Sequence, residues 1–395
     1  MRIFVLGAGA TGSLLAQLLA RQGHRVACGD KDLERARHFL GKRSRIPIHQ
    51  VNARNLWAIV RAARGFHLLV NASPAVFNEI VMRAALRLRA HYLDLSAHLT
   101  RHPFKAEQLR FHRRFQQKNR TAVITAGVAP GLTNLLARRA AEILDAAPAG
   151  RGAVEAIHIR LYESTESDDP ISSWSAEGTF DAATSRPRVY RGGKFRLGKR
   201  FGERERFRFP SPIGETSVAL LAQDEVGTLP HFVPLREMDA KIGGNEIERL
   251  RRWYRQGKLS RSRGLVAKRF PKTPTPRQVA RMIRRGVLQN ARFAAAVLVR
   301  GVKNDQPMLI RWDASFPTLY QIRARGMLTS PISYGTAHMA ALFVKHLPRG
   351  LAGVYPPEAL PAETRQAILA DARTRDFCIT LKVTRLKKSE DEDEL

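Results

Sequence analysis

Three glycines, Gly7, Gly9 and Gly12, stand as G-x-G-x-x-G between an apolar run, Arg2 to Leu6, and a stretch in which Leu14, Leu15, Leu18 and Leu19 share one helical face. A strand running into a helix through such a loop leaves few folds open. The first glycine permits the tight turn, the second lets a backbone approach a pyrophosphate, and the third lets helix pack on strand. Ala10 and Thr11 complete the loop, whose helix N-terminus offers unpaired N–H groups to phosphate oxygens. Asp30 closes the next apolar run eighteen residues after Gly12, where an acid meets the adenosine ribose hydroxyls. The chain is therefore expected to bind a nicotinamide dinucleotide. Asp30 opposes a 2′-phosphate and favours NAD, whereas neighbouring Lys31 and Arg35 keep NADP open.

Short apolar runs continue at Arg25 to Gly29, Ile46 to Gln50, His67 to Asn71, His91 to Leu95 and Thr121 to Thr125, with helical periodicity between them. That alternation predicts an α/β Rossmann domain, a doubly wound parallel sheet over residues 1–130. Asn52 and the run Asn71, Ala72, Ser73, Pro74 then fall at carboxyl ends of strands, where a dinucleotide crosses the sheet, or else cap ordinary loops. Pro130 and Gly131 are expected to shape the loop under the nicotinamide.

Beyond them the pattern changes. A helix from Leu132 to Leu144 and an Ala/Pro/Gly linker, Ala146 to Gly152, lead into strand-like alternation such as Ala156 to Leu161, with turns at Gly192-Gly193 and Gly243-Gly244. Glu246 to Tyr254, Pro276 to Arg285 and Gly335 to His346 read as helices; Met308 to Trp312 and Leu319 to Arg325 read as strands. This predicts an inserted α+β domain of mostly antiparallel sheet over residues 131–334, with 335–395 rejoining the first domain.

Composition narrows the class. At 395 residues with 44% hydrophobic content the chain can fill two cores, and no stretch has the length and apolarity of a membrane span. The start runs straight into the glycine loop, unlike a secretory signal, and Cys28 and Cys378 have no metal-ligand spacing, so a cytoplasmic protein with inert thiols and no metal is expected. Lys and Arg number 67 against 35 Asp and Glu, a net charge of +32. Such a field attracts polyanions, and nucleic acid is the alternative partner it raises. The densest run, Arg251 to Arg300, holds fifteen basic and no acidic residues, and Arg186 to Arg208 interleaves Arg with Tyr190, Phe195, Phe201 and Phe207. Base stacking would suit that pattern, but one buried and one solvated sheet face explains it as well and is preferred. The acidic end, Glu390 to Leu395, reads as a solvated tail.

Several motifs carry a resemblance. GAGATG at Gly7 to Gly12, VNASP at Val70 to Pro74 followed by FNEIVMRAAL, HYLDLSAH at His91 to His98, GVAPGLTNLLA at Gly127 to Ala137 and GVYPPE at Gly353 to Glu358 resemble the saccharopine dehydrogenase family in order and spacing. Ala129 stands where the saccharopine reductase branch has an acid, and Glu163 where it has a cysteine; the Val-Ala-Pro-Gly instead resembles the lysine 6-dehydrogenase-like branch. The resemblance implies an NAD(P)-dependent oxidoreductase acting on CH-NH or CH-NH2 donors, with an amino-acid substrate such as lysine or saccharopine. It also implies a homodimer, and a second domain that serves catalysis or dimerisation. A polyamine-pathway reductase, such as a carboxynorspermidine dehydrogenase, and a dinucleotide-sensing nucleic-acid-binding protein are the alternatives.

Amine oxidation needs a base near neutral pKa beside the reacting carbon. His98 follows the fifth strand at its carboxyl end and titrates in the useful range. Asp94, four residues earlier, either orients His98 or is a buried strand-end residue. Glu163, with Glu166, Asp168 and Asp169, either recognises a substrate ammonium or balances nearby Arg; Lys241 and Arg160 are candidates for the substrate carboxylate.

Overall fold

The computed structural model describes residues 1–41, 43–145, 152–259, 270–348 and 350–386. Most of the expected linker and the acidic tail lie outside these residues. In the first part the strands are β1 (Arg2–Leu6), β2 (Arg25–Asp30), β3 (Ile48–Gln50), β4 (Leu68–Asn71), β5 (His91–Asp94) and β6 (Thr121–Val123). The helices are α1 (Ala10–Arg21), α2 (Leu33–Leu40), α3 (Leu56–Ala62), α4 (Asn78–Leu88), α5 (His112–Gln117) and α6 (Leu132–Asp145). The second part comprises β7 (Gly152–Ser167), α7 (Ala176–Thr184), β8 (Arg188–Arg191), β9 (Lys194–Leu197), β10 (Glu205–Arg208), β11 (Glu215–Leu220), β12 (Glu237–Gly243), α8 (Asn245–Arg255), α9 (Pro276–Arg284), β13 (Leu288–Lys303), β14 (Gln306–Ser315) and α10 (Leu319–Ala324). The chain ends with α11 (Pro331–Lys345), β15 (Gly353–Tyr355), α12 (Ala362–Arg373) and β16 (Cys378–Arg385).

The first sheet runs β15-β6-β5-β4-β1-β2-β3, parallel throughout, which is the doubly wound order with one added strand. Its central strands are buried on both faces, as crossover helices require, while edge strand β3 is largely exposed. Phe4, Leu6, Met82, Tyr92 and Phe115 fill one face under α3, α4 and α5. The other face, with Val5, Val70 and Val123, packs under α1 and joins a core that continues through α6 and α11 to Ile159, Ala295 and Val297 of the second sheet. Helix α11 is buried along nearly its whole length, the state expected of a helix apolar all round. With α6 it forms a layer shared by both sheets.

The second sheet runs β10-β11-β12-β7-β13-β14-β16 with β8 and β9 attached, and only the β12–β7 pairing is parallel. An α/β Rossmann sheet joined to a mostly antiparallel second sheet is thus observed as expected. Two readings need correction. Leu319 to Arg325 forms a helix rather than a strand: Thr318 and Gln321 make a capping box, and buried Leu319 and Ile322 are spaced for a helix face rather than for alternation. The return to the first sheet runs through α11 and β15 but stops before Cys378, because β16 pairs antiparallel with β14 at the edge of the second sheet. The aromatic rings of the basic stretch are consumed in packing: Phe195 stacks on Phe104 with centroids 5.4 Å apart, Phe201 lies on Tyr254, and Phe207 on Phe209.

Three chain segments meet at the start of α6. The Gly131 amide donates to Asn134 Oδ1 (3.0 Å), and Asn134 Nδ2 donates to Thr228 Oγ1 (3.1 Å) and Glu358 Oε2 (3.0 Å). Thr133 Oγ1 donates to Glu225 (2.9 Å). Burial pushes both Glu225 and Glu358 up to about 7. Between the ordinary value near 4.5 and about 7, the folded chain holds protons that the unfolded chain has released, so stability falls as pH rises through that window. The slope is up to about 1.4 kcal/mol per pH unit for each group. Glu358→Gln, which imitates the protonated acid, is therefore expected to shrink the drop in Tm between pH 5 and pH 8. An unchanged drop in thermal denaturation scans refutes this assignment.

Candidate cofactor and active site

The glycine loop assigns its glycines two different jobs. Gly7 has φ +96°, and a Cβ there would meet the Ala72 backbone at 2.7 Å; a Cβ on Gly12 would meet the Gly7 carbonyl oxygen at 1.9 Å. Those two are required by the protein's own packing. A Cβ on Gly9 would have nothing within 4 Å, so that position is open for a ligand. Gly9 caps α1 without a side-chain hydrogen bond, and the first turn, including Ala10 and Thr11, contains no acid. Bare N–H groups at a helix start suit a pyrophosphate. Asp30, at the end of β2, accepts from the Ala8 amide (2.8 Å) and the Asp32 amide (3.0 Å), which fixes its carboxylate beside the loop. Lys31 is exposed. Arg35 donates to the Thr273 carbonyl (3.1 Å) and lies over Phe39.

At the end of β4, Asn71 Oδ1 accepts from the Ser73 amide (3.1 Å) and hydroxyl (2.5 Å), while Asn71 Nδ2 donates to Asn78 (2.7 Å). This turn places the backbone of Ala72 and Ser73 against Gly7. Asn52 is exposed and accepts from the Arg54 amide (3.0 Å), so it caps its own loop. Pro130 follows a cis peptide bond, and Gly131 has φ +136° with no room for a Cβ, which would lie 1.9 Å from the Gly127 oxygen.

His98 lies on the loop after β5, and its partner is Glu79 near the start of α4. His98 Nδ1 approaches the Glu79 oxygens at 2.9 and 3.0 Å, and Glu107 Oε2 lies 3.8 Å away. The hydrogen bond to Glu79 raises His98 above its ordinary value, against the pull of burial. Burial pushes the Glu79 carboxyl up, but the His98 hydrogen bond and charge outweigh it and hold it below the usual range. His98 Nε2 is buried with no hydrogen-bond partner. A ring whose Nδ1 faces a carboxylate keeps Nε2 for proton exchange. Asp94 makes no direct hydrogen bond to the His98 ring and reaches only its backbone, through Gln108, whose Oε1 accepts the His98 amide (3.0 Å). It accepts from the Thr125 amide (2.7 Å), Tyr92 Oη (2.9 Å) and Gln108 Nε2 (3.1 Å), and burial pushes it up to about 7. Glu79 escaped the sequence reading because an acid in the first turn of a helix is expected for the helix dipole alone.

The second sheet separates the remaining candidates onto opposite faces. Glu163 shares its face with Leu161 and the common core; burial and neighbouring Glu246 push it up to about 7, and Ser173 Oγ donates to it. The Ser173 carbonyl accepts from Ser330 and Ser333, and Ser333 Oγ accepts from Thr11 (3.2 Å), so Glu163 connects to the first turn of α1. Of its acidic neighbours, Glu166 pairs with Arg292, and Asp168 and Asp169 are exposed. Arg160 and Lys241 lie on the other face, buried. Arg160 pairs with Glu205 and Asp239, and Lys241 Nζ lies 2.5 Å from Glu205. Both charges are satisfied within the sheet, away from the dinucleotide loop, so neither is placed to hold a substrate carboxylate.

Residues 3–123 match the family model of the saccharopine dehydrogenase NADP binding domain. Over that domain the chain resembles the saccharopine dehydrogenase family. Its fold is similar over nearly the whole length to apo saccharopine dehydrogenase (L-Glu forming) from Saccharomyces cerevisiae, with a TM-score of 0.70 at 13% identity, covering 98% of this chain and 100% of that one. A probable dehydrogenase from Thermotoga maritima gives a TM-score of 0.43 at 10% identity, covering 94% of this chain and 95% of that chain. The saccharopine dehydrogenase-type first domain binds a nicotinamide dinucleotide, and no described helix is long and apolar enough to cross a membrane. The two kinds of glycine predict distinct failures. Gly9→Val is expected to leave Tm unchanged and abolish NADH binding, measured by fluorescence titration. Gly12→Ala is expected to destabilise the fold itself by about 1–3 kcal/mol in urea denaturation. Equal stability of the two variants would contradict this division.

Proposed function

We propose that the chain is an NAD-preferring oxidoreductase that oxidises the C–N bond of an amino acid, lysine, saccharopine or a related compound, with His98 as the proton acceptor. The observation that carries this reading is the pairing of His98 with Glu79 at the carboxyl edge of the parallel sheet, on the edge that also holds Gly9, Asp30 and Ala72 to Pro74. A bound nicotinamide supplies the hydride acceptor for the C–H beside the substrate nitrogen. His98 takes the N–H proton at Nε2 as the C=N bond forms, and Glu79 holds the resulting imidazolium through Nδ1. Glu79 acts on His98 rather than on substrate, so it is a positioning residue.

Asp30 supports NAD over NADP: its carboxylate is fixed beside the loop, and Arg35, engaged with Thr273, is directed away from a 2′-phosphate. The similar yeast protein is a saccharopine dehydrogenase, which supports an amino-acid substrate here.

The decisive assay follows NAD reduction by lysine, saccharopine and a polyamine panel at the nicotinamide absorbance. Turnover on an amino acid supports the proposal; turnover on polyamines alone replaces it. Because Glu79 raises the His98 pKa, the rising limb of kcat/KM should lie above the ordinary imidazole value of 6.5. Glu79→Gln should move that limb to lower pH while lowering kcat, and His98→Asn should reduce turnover by about 100-fold or more with NADH binding retained. Full activity in His98→Asn excludes it as the base. NADH should bind about tenfold or more tightly than NADPH, and Asp30→Ser should narrow that ratio.

A further inference from the structure

A cavity of about 440 Å³ opens between α1, the end of α2, and the second domain around α9 and α10, within the size range of small-molecule sites. Among the described lining residues, Ala10 is the sole member of the glycine loop; Asp30, Ala72, Ser73 and His98 do not line it. Its interior is apolar, with Leu14, Leu40, Val279, Leu288 and Leu319 all buried. Its polar lining is one-sided. Arg21, Arg37, Arg277 and His38 border it, all four are exposed, and no described lining residue is acidic. The Thr165 and Thr329 hydroxyls, two further lining residues, are buried without a hydrogen-bond partner. Helix α9 extends the same charge outward, with Arg281 and Arg284 exposed four and seven residues beyond Arg277.

Leucines inside and guanidinium groups at the mouth complement one kind of molecule, an alkyl chain ending in an anion. The absence of carboxylates from the described lining opposes a cationic amine, which sets the cavity apart from the site of amine chemistry. We propose that the cavity binds an alkyl monocarboxylate, its chain among the leucines and its head group against Arg37 and Arg277. Because α1 and α2 form one wall and α9 and α10 the other, such an occupant would hold the two domains together.

Decanoate, kept below its micelle-forming concentration, tests this by isothermal titration calorimetry and thermal shift on the full chain. The expected result is saturable one-to-one binding that raises Tm and persists at saturating NADH. Arg37→Gln and Arg277→Gln should each weaken it about tenfold, the worth of a charge-assisted contact, with NADH affinity unchanged as the control for folding. Ala291→Leu, which adds side-chain volume inside the cavity, should weaken it further. Equal binding of decanol would remove the role of the arginines, and displacement by NADH would place decanoate in the cofactor site. Competition by inorganic phosphate at like concentration would reduce the site to anion binding. Binding only to vesicles of anionic phospholipid would replace the cavity with a membrane-facing surface. Each of these results, or no binding at all, overturns the proposal.

Discussion

The architecture depends on the buried hydrogen bonds at the start of α6. Asn134 receives the Gly131 amide on its oxygen and gives its two N–H groups to Thr228 and Glu358. One side chain thus joins the turn after β6, the second domain and the returning chain after β15. An amide suits this place because it has both acceptor and donors, whereas a carboxylate or hydroxyl could not satisfy all three partners in that geometry. The partners are expensive to leave unmade in an interior this dry, which gives the junction a sharply defined arrangement. Two motifs far apart in sequence, GVAPGLTNLLA and GVYPPE, meet through this one residue. Gly131 can take part only because its φ of +136° and its contact with Gly127 exclude a side chain.

Charge is organised by the same logic of burial. A chain with 67 basic and 35 acidic residues uses many of its acids inside, where a carboxylate must either be paired or hold its proton. Asp239 takes the first course: burial pushes it up, but His158, Arg160 and Arg191 hold it well below the ordinary range. Glu163, Glu225 and Glu358 take the second and lie near 7. Acids spent in the interior do not neutralise surface arginines, and stretches such as α9 stay uniformly basic.

Where a residue's job is local, the sequence was legible. The six parallel strands, the glycine loop and Asp30 follow from neighbouring residues and short spacings, and they lie where periodicity placed them. Leu319 to Arg325 was misread because apolar spacing was weighed without the Thr318 and Gln321 caps that decide between helix and strand. Strand β16 could not be foreseen, since its pairing with β14 joins positions about seventy residues apart and its nearly uniform exposure gives little local signal. Glu79 was hidden by having an adequate local reason to be there. Arg160 and Lys241 misled for the converse reason: sequence shows two cations on strands, but only the sheet shows that Glu205 and Asp239 share their face.

This contrast explains why the cofactor end of the site is better defined than the substrate end. A dinucleotide is held by backbone N–H groups and glycine geometry, which one short segment provides. Holding the proposed amino-acid substrate would instead call on side chains whose directions depend on how the two domains meet. That meeting is itself bonded to the cofactor loop: Thr11 reaches Ser333, Ser333 reaches the Ser173 carbonyl, and the Ser173 hydroxyl reaches Glu163. Arg35, in the first turn of α2, reaches Thr273 in the second domain. A shift of the second domain would then be felt at the N-terminus of α1, where Gly9 leaves room for a ligand, and in the first turn of α2. The glycine loop and the second domain are joined in this fold by hydrogen bonds that no single segment of sequence displays.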